Sequence, residues 1–271
     1  MTARPARTER AFEVSETRDK ALLRELLASD PVGAAYLLGD LAEPFFSQCR
    51  WLVAGHRGRL EGAVLMYTGL SVPAVLSFGA PDAAEAALSY FARELPEMCY
   101  AKFPLEHAEA FPKFFQLEYM ERLWVMGLHA DKLQRRAQLR EATQLSKTTP
   151  IEPIVSLYEN YPGNYFEPSQ LESGLYFGAY LEGQLVAIAG THVLAPAEHV
   201  AVLGNIVTST AARQHGHATA CTTRLIEALA AKGCSTIALQ VAADNAAAIT
   251  CYRNLGFRFH EMVWQTRATR L

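Results

Sequence analysis

The stretch Asn205–Ala220, NIVTSTAARQHGHATA, constrains this chain more than any other. Ile206-Val207-Thr208 has the β-branched composition of a strand end. A turn containing Gly216 follows, then a helix expected to run to about Lys232 and to close at Gly233, a suitable C-cap. A strand that passes through a glycine turn into a helix is a generic anion-binding device. The first N–H groups of such a helix have no intrahelical acceptor, and the helix dipole adds about half a positive charge there. Gly216, Ala218 and Ala220 are small enough to let backbone approach a ligand closely. Arg213 supplies a fixed cation at the rim.

Composition narrows the classes of partner. The 271 residues are 50% hydrophobic and 20% charged, as in ordinary soluble globular proteins. That length suits one large domain or two of roughly 130 residues each. The net charge of -3 gives no global reason to expect nucleic acid. Apolar runs fall short of the ~18 residues that a membrane span needs. The N-terminal MTARPARTERAFEV has charges without an apolar stretch behind them, so a frayed tail is expected rather than a secretory signal. Five cysteines without CxxC spacing predict reduced thiols and a cytoplasmic setting. The eight histidines form no HxxxH or HExxH pattern, and no metal is expected.

Hydrophobic periodicity organises the rest. The first half is expected as a short strand at Phe12–Val14, helices at Asp19–Ser29 and Ala34–Leu41, a hairpin around His56–Arg59, and a strand at Ala74–Phe78. A helix opening at Pro81, a strand at Cys99–Phe103, a helix over Leu105–Phe115 and a strand at Tyr119–Leu128 complete it. The charged stretch His129–Arg136 marks the boundary. The second half begins with a strand at Gln138–Thr143, a helix at Pro150–Asn160 and a long loop at Tyr161–Gly174. Strands at Leu175–Leu181, Leu185–Val193 and His199–Thr208 follow, then the Gly216 helix, a strand at Ser235–Val241, a helix at Asp244–Asn254 and a last strand at Phe257–Arg267. The two halves share one order and end alike, Phe114-Phe-Gln-Leu-Glu-Tyr119 against Tyr252-Arg-Asn-Leu-Gly-Phe257. This is an internal duplication.

Three features occur in sequence in the second half. Arg213-Gln-His-Gly216-His-Ala218 fits Arg/Gln-x-x-Gly-x-Gly/Ala. The strand Leu239-Gln-Val241 leads to Asn245 and a helix. That helix closes on Tyr252-Arg-Asn-Leu-Gly256-Phe257. Together they resemble the GCN5-related N-acetyltransferase (GNAT) superfamily over about Gln138–Arg267, and in particular its two-unit members. The resemblance implies an α+β fold of three layers, with a mixed, mostly antiparallel central sheet, duplicated as two tandem units. It implies a degenerate GNAT-like domain at 1–130 without a cofactor site and an acetyl-CoA-binding catalytic domain at 131–271.

The same resemblance assigns roles. Backbone of Ile206, Val207 and Thr208 would hold the pantetheine arm of acetyl-CoA. Arg213, Gln214, His215, Gly216, His217, Ala218 and Thr219 would hold its pyrophosphate. Asn245 would bond the pantetheine or help hold the strands apart; equally, it could cap the helix that follows. Tyr252 would sit near the sulfur and protonate the leaving thiolate, against the plain alternative of a core aromatic. The family often has Gly after the Arg, where this chain has Gln214. In the first half the matching turn is Ser77–Asp82, with Pro81 lacking an N–H and Asp82 repelling phosphate, and Phe114 stands where Tyr252 does.

An ammonium acceptor must lose a proton before it attacks a thioester. Glu198, His199 and His192 lie on or beside the strands expected to line the acceptor side, and His192 is the first choice of base. The resemblance puts the loop with Asn164, Tyr165, Glu167 and Glu172 where acceptor-binding elements stand, able to receive a cationic amine; a plain surface loop is the equal alternative. Cys221 lacks a His/Asp partner pattern and is expected as a small buried helix residue. The expected function is acetyl-CoA-dependent acetylation of a primary amine, a small molecule or amino acid, by direct attack, in a monomer or homodimer without nucleic-acid or membrane partners. Alternatives are a non-catalytic acetyl-CoA sensor and a protein N-terminal or lysine acetyltransferase.

Overall fold

The computed structural model describes residues 11–135, 140–161, 166–173 and 175–271. Two compact units emerge from the chain. One takes residues 1–27, 48–120 and 265–271, and the other takes 28–47 and 121–264. These are not the sequence halves 1–130 and 131–271. Residues 28–47 belong to the second unit, and the C-terminal 265–271 belong to the first.

The first unit holds β1 (Glu13–Thr17), α1 (Lys20–Leu27), β2 (Cys49–His56), β3 (Arg59–Tyr67), β4 (Ala74–Gly79), α3 (Pro81–Tyr90) and β5 (Met98–Pro104). Its sheet runs β1-β2-β3-β4-β5, followed by the C-terminal part of β12 (Arg258–Arg270). From β1 to β5 neighbours are antiparallel except β4 and β5, which pair in parallel from Ala74 with Tyr100 to Leu76 with Lys102. Trp51, Leu65, Phe103 and Phe111 are fully buried, and Phe111 stacks on Phe103 at 4.0 Å. The chain end is tied in by Arg270 N–H to the Glu97 carbonyl at 2.8 Å and by Leu271 N–H to that of Phe114 at 3.0 Å. The helix expected over Leu105–Phe115 is two 3-10 turns instead, Leu105–His107 and Phe111–Lys113. Pro112 removes an N–H that a continuous helix needs.

The second unit holds α2 (Ala35–Gly39), most of β6 (Phe115–His129), β7 (Thr143–Leu145), α4 (Glu152–Glu159), α5 (Gln170–Ser173), β8 (Tyr176–Leu181), β9 (Gln184–Ala195) and β10 (Val200–Thr208). After these come α6 (His217–Ala231), β11 (Thr236–Ala242), α7 (Ala246–Asn254) and the N-terminal part of β12. Its order is β12-β6-β11-β10-β9-β8-β7. Residues 138 and 139 of the strand expected at Gln138–Thr143 lie outside the described residues. From β6 to β7 in that order, as from β1 to β5 in the first unit, one parallel pair sits among antiparallel ones: β10 beside β11. The shared order and the shared parallel pair express the duplication.

Alternation along β9 sorts the second unit into layers. Ala187 and Ala189 face a core with Leu225, Ile226 and Leu229 of α6 and Ile249 and Tyr252 of α7. Ile188 faces the other way, onto Ile154, Leu157 and Tyr158 of α4. Gly233, at φ +94, ends α6, with the Cys234 N–H reaching back to the Leu229 carbonyl at 3.1 Å. Among the described residues, no helix is long and apolar enough to cross a membrane.

Packing is tight at Gly190. A Cβ there would lie 2.1 Å from the ring of Tyr176, which is itself fully buried. Gly190→Ala is expected to lower stability by about 1–3 kcal/mol, read as a reduced urea midpoint with an unchanged slope.

Candidate active site

The parallel pairing of β10 and β11 covers Val200–Leu203 and Thr236–Leu239 and stops there. β10 continues to Thr208 and β11 to Ala242, so the two strands part over the stretch that contains Ile206, Val207 and Thr208. The divergence coincides with a bulge. Gly204 pairs with Gly190 but Val207 with Ile188, which leaves Asn205 and Ile206 opposite one residue. Asn205 has φ +51, in the left-handed region. Three side chains pin it. The Tyr158 hydroxyl donates to the Asn205 carbonyl at 2.6 Å, and the Asn205 side-chain amide donates to the Tyr176 hydroxyl at 3.0 Å and the Gln170 carbonyl at 3.1 Å. The Tyr176 hydroxyl also donates to Gln170, at 2.8 Å. A non-glycine residue in this region costs about 1–3 kcal/mol, and the buried network holds it there.

Beyond Thr208 the chain turns into α6. The Arg213 guanidinium Nε donates to the Thr208 carbonyl at 3.3 Å, tying the turn to the strand end. Gln214 and Gly216 have φ +63 and +81, on either side of His215, and such alternation turns successive N–H groups toward one point. Gln214 thus takes the left-handed conformation at the position where the family often has Gly. Gly216 is the N-cap of α6, and no side chain caps that end. A Cβ built on Gly216 would meet nothing within 4 Å. The next residue, His217, is 3% exposed, and neither ring nitrogen has a hydrogen-bond partner. Burial, then Arg140 and His215, hold its pKa below the ordinary imidazole value. An open glycine, an uncapped helix end and an orphaned buried imidazole beside Arg140 fit a polyanion such as a pyrophosphate. Ala218 and Thr219 continue the first turn of α6, and the Thr219 hydroxyl lies 3.4 Å from Cys251 Sγ.

Tyr252 lies on α7 in the core shared with α6, edge-on to Phe257 at 5.9 Å. Burial pushes its phenol pKa well above the ordinary value, which keeps the hydroxyl protonated. Asn245 caps α7, its side-chain carbonyl accepting the Ala248 N–H at 3.1 Å. His192 is the extra residue of a second bulge: Val202 pairs with Val193 but Leu203 with Thr191. Its Nδ1 lies 3.0 Å from the Tyr36 hydroxyl of α2. Glu198 and His199 precede the start of β10, at the end away from Thr208, and His199 Nδ1 donates to the Gly233 carbonyl at 3.0 Å. Cys221 is buried, and its thiol is pushed up to about 12 by that burial. In the acceptor loop, Glu167 and Glu172 are exposed. Asn164 and Tyr165 lie outside the described residues.

Three features here were not anticipated from sequence: Tyr36, the Tyr158–Gln170–Tyr176 network and the orphaned His217. The one hint of Tyr36 is its i, i+4 spacing with Asp40 in an otherwise apolar helix, Ala35–Gly39. Asp40 follows that helix, its N–H on the Tyr36 carbonyl at 3.2 Å, and burial pushes its carboxyl up to about 7.

Two measurements follow from these contacts. An unfolded Asp ionises near pH ~4, so between there and about 7 the unfolded chain sheds a proton that folded Asp40 keeps. Stability is therefore full below the unfolded pKa and is lost as pH rises toward 7. Asp40→Asn is expected to remove that part of the decline, seen as a wild-type-to-variant gap in urea unfolding that widens from pH 4 to 7 and then levels. Asn245→Ala is expected to cost about 0.5–2 kcal/mol through the lost cap, measured the same way at one pH.

Residues 139–257 match the acetyltransferase (GNAT) family. No curated protein matches the chain in sequence. Among solved structures, the chain is similar to a Drosophila protein with a TM-score of 0.69 at 12% identity, over 94% of this chain and 98% of that one. It is similar to a GCN5-related N-acetyltransferase from Kribbella flavida with a TM-score of 0.59 at 16% identity, over 88% and 94% of the two chains. A tandem GNAT protein from the clavulanic acid biosynthesis pathway gives a TM-score of 0.57 at 15% identity, over 96% and 98%. Identities this low speak for fold, and the sequence match speaks for the domain that carries the diverging strands and the α6 turn. Residues 139–257 are a GNAT-family acetyltransferase domain, in a chain with the fold of the tandem GNAT proteins.

Proposed function

We propose that the second unit transfers acetyl from acetyl-CoA to a primary amine of a small molecule or amino acid, by direct attack of the amine on the thioester. The observation that carries this reading is the α6 N-terminus, uncapped and carrying an orphaned His217, placed directly after a strand that has parted from its parallel neighbour. The pyrophosphate would lie on the N–H groups from Gln214 to Thr219, with Arg213 at the rim. The pantetheine arm would extend along Ile206–Thr208, taking the strand hydrogen bonds that β11 does not. In that pose the Tyr252 hydroxyl, held neutral by burial, supplies the proton for the departing thiolate. Asn245 acts through the start of α7, which it caps.

The first unit is proposed to lack a cofactor site. Its matching glycine, Gly79, also has a positive φ, but a Cβ there would lie 2.4 Å from the Glu61 carbonyl, and the Ala80 N–H is already given to that carbonyl at 2.8 Å. The end of β4 is closed further by His107, whose Nε2 donates to the Gly79 carbonyl at 3.0 Å and whose Nδ1 lies 2.7 Å from the Ser77 hydroxyl. The chain is proposed to act in the cytoplasm as a monomer or homodimer; its five cysteines are all free thiols.

The test is thiol release from acetyl-CoA across a panel of small amines, amino acids and N-terminal peptides. Tyr252→Phe is expected to lower kcat by roughly 10²-fold or more with little change in KM for acetyl-CoA, and Gly216→Val to raise that KM instead. Tight CoA binding without turnover on any acceptor sinks the enzyme reading in favour of a sensor. Turnover on peptides alone moves the acceptor class to proteins.

A further inference from the structure

The base expected from sequence, His192, is not placed to meet an acceptor directly. A Cβ built on Gly204 would lie 2.1 Å from its Nε2, 2.2 Å from Cδ2 and 2.3 Å from Cε1, so the Nε2 end of the ring covers Gly204, and Nε2 is buried. The other nitrogen, Nδ1, is 3.0 Å from the hydroxyl of the half-buried Tyr36. A helix from the first half of the sequence brings that hydroxyl. A Cβ on Gly39 would lie 2.4 Å from Val193 Cγ1, so α2 rests directly on the residue after His192. Gly204 immediately precedes the Asn205 bulge, where β10 parts from β11. The Tyr36–His192 pair therefore sits within a residue or two of the stretch proposed to hold the thioester end of the cofactor.

It also sits on the opposite layer from the proposed acid. Tyr252 belongs to the α6–α7 side of the sheet, with Ala187, Ala189 and Leu203, while α2 covers Val193 and His192 covers Gly204 on the α4 side. A tetrahedral centre formed between the parted strands would have its incoming nitrogen and its leaving sulfur served from different faces.

We propose that Tyr36 is the group that meets the acceptor amine, and that it relays the ammonium proton to His192. The inference rests on the acetyltransferase reading above. In the step, one N–H bond of the ammonium breaks and its proton goes to the Tyr36 oxygen. The proton of the Tyr36 hydroxyl passes to His192 Nδ1, leaving a neutral tyrosine and an imidazolium. The freed nitrogen pair forms the N–C bond at the thioester carbonyl. Collapse breaks the C–S bond, and the thiolate takes the Tyr252 proton. The second nitrogen proton restores Tyr252 through water, and the imidazolium gives its proton to solvent. One proton is released per turnover, as the acetylation of an ammonium requires.

The test compares two probe amines at pH 7: n-butylamine, which is an ammonium there, and hydroxylamine, which is neutral and needs no base before it attacks. For butylamine, Tyr36→Phe and His192→Gln are each expected to lower kcat by roughly 10²-fold, with KM for acetyl-CoA unchanged and the double variant no slower than the worse single. For hydroxylamine the losses should shrink to within about threefold, the residual expected when no proton need be relayed. Equal losses on both amines, additive losses in the double variant, or an effect confined to KM overturns the relay, and each variant is checked against the wild type by thermal unfolding. If Tyr36→Phe is unstable, the same split read on His192→Gln decides. A wild type that releases thiol with neither amine, nor with any member of the wider panel, overturns the transferase reading and the relay with it; turnover without the split overturns the relay alone.

Discussion

The second unit depends on one residue held in an unfavourable backbone conformation. Asn205 sits at φ +51 with its carbonyl and its side chain both engaged in a buried network from α4, α5 and β8. Without that network β10 would relax toward regular pairing. The bulge interrupts the β9 register, and just before it the parallel pairing with β11 ends. Two parallel strands that stop pairing partway expose backbone donors and acceptors to each other across a gap, which is costly unless something fills it. A ligand that itself carries amide groups would satisfy that demand, so on the proposed reading the strain at Asn205 and the seating of an extended thioester arm are two sides of one arrangement.

The layers on either side carry different groups. α6 presents an uncapped end with a buried imidazole that lacks partners, which is unfavourable in isolation and favourable beside a polyanion. α7 keeps a phenol dry and protonated. α2 brings a second phenol against an imidazole on the other face. The first unit repeats the topology with its corresponding turn filled by protein: the Glu61 carbonyl takes the Ala80 N–H and fills the space at Gly79 that the second unit leaves open at Gly216, and His107 takes the Gly79 carbonyl.

Much of this was legible in the residues. The strand–turn–helix at Asn205–Ala220, the Asn245 cap, the Tyr252 helix and the duplication all rest on local patterns, where spacing and side-chain type carry the information. What escaped is non-local. The Tyr36–His192 contact joins positions 156 apart in sequence, and no periodicity in α2 points to β9. The bulges at His192 and Asn205 are matters of register, which a single strand's sequence does not encode. His217 looked like one more residue of a polar turn because its burial depends on how α6 meets its surroundings. The helix expected at Leu105–Phe115 failed for a local reason, Pro112, which opens a 3-10 turn there instead.

The division of the chain has a consequence for how it is made. The first unit includes residues 265–271, and the second includes 28–47. During synthesis the first unit therefore waits for residues 265–271, made long after its other strands, and the early segment 28–47 waits for strands made much later. Contacts between such distant positions slow folding, because chain closure must precede the packing that rewards it. Two interrupted units of this kind are not separable by a single cut, and gene fragments ending near residue 130 would lack a piece of each.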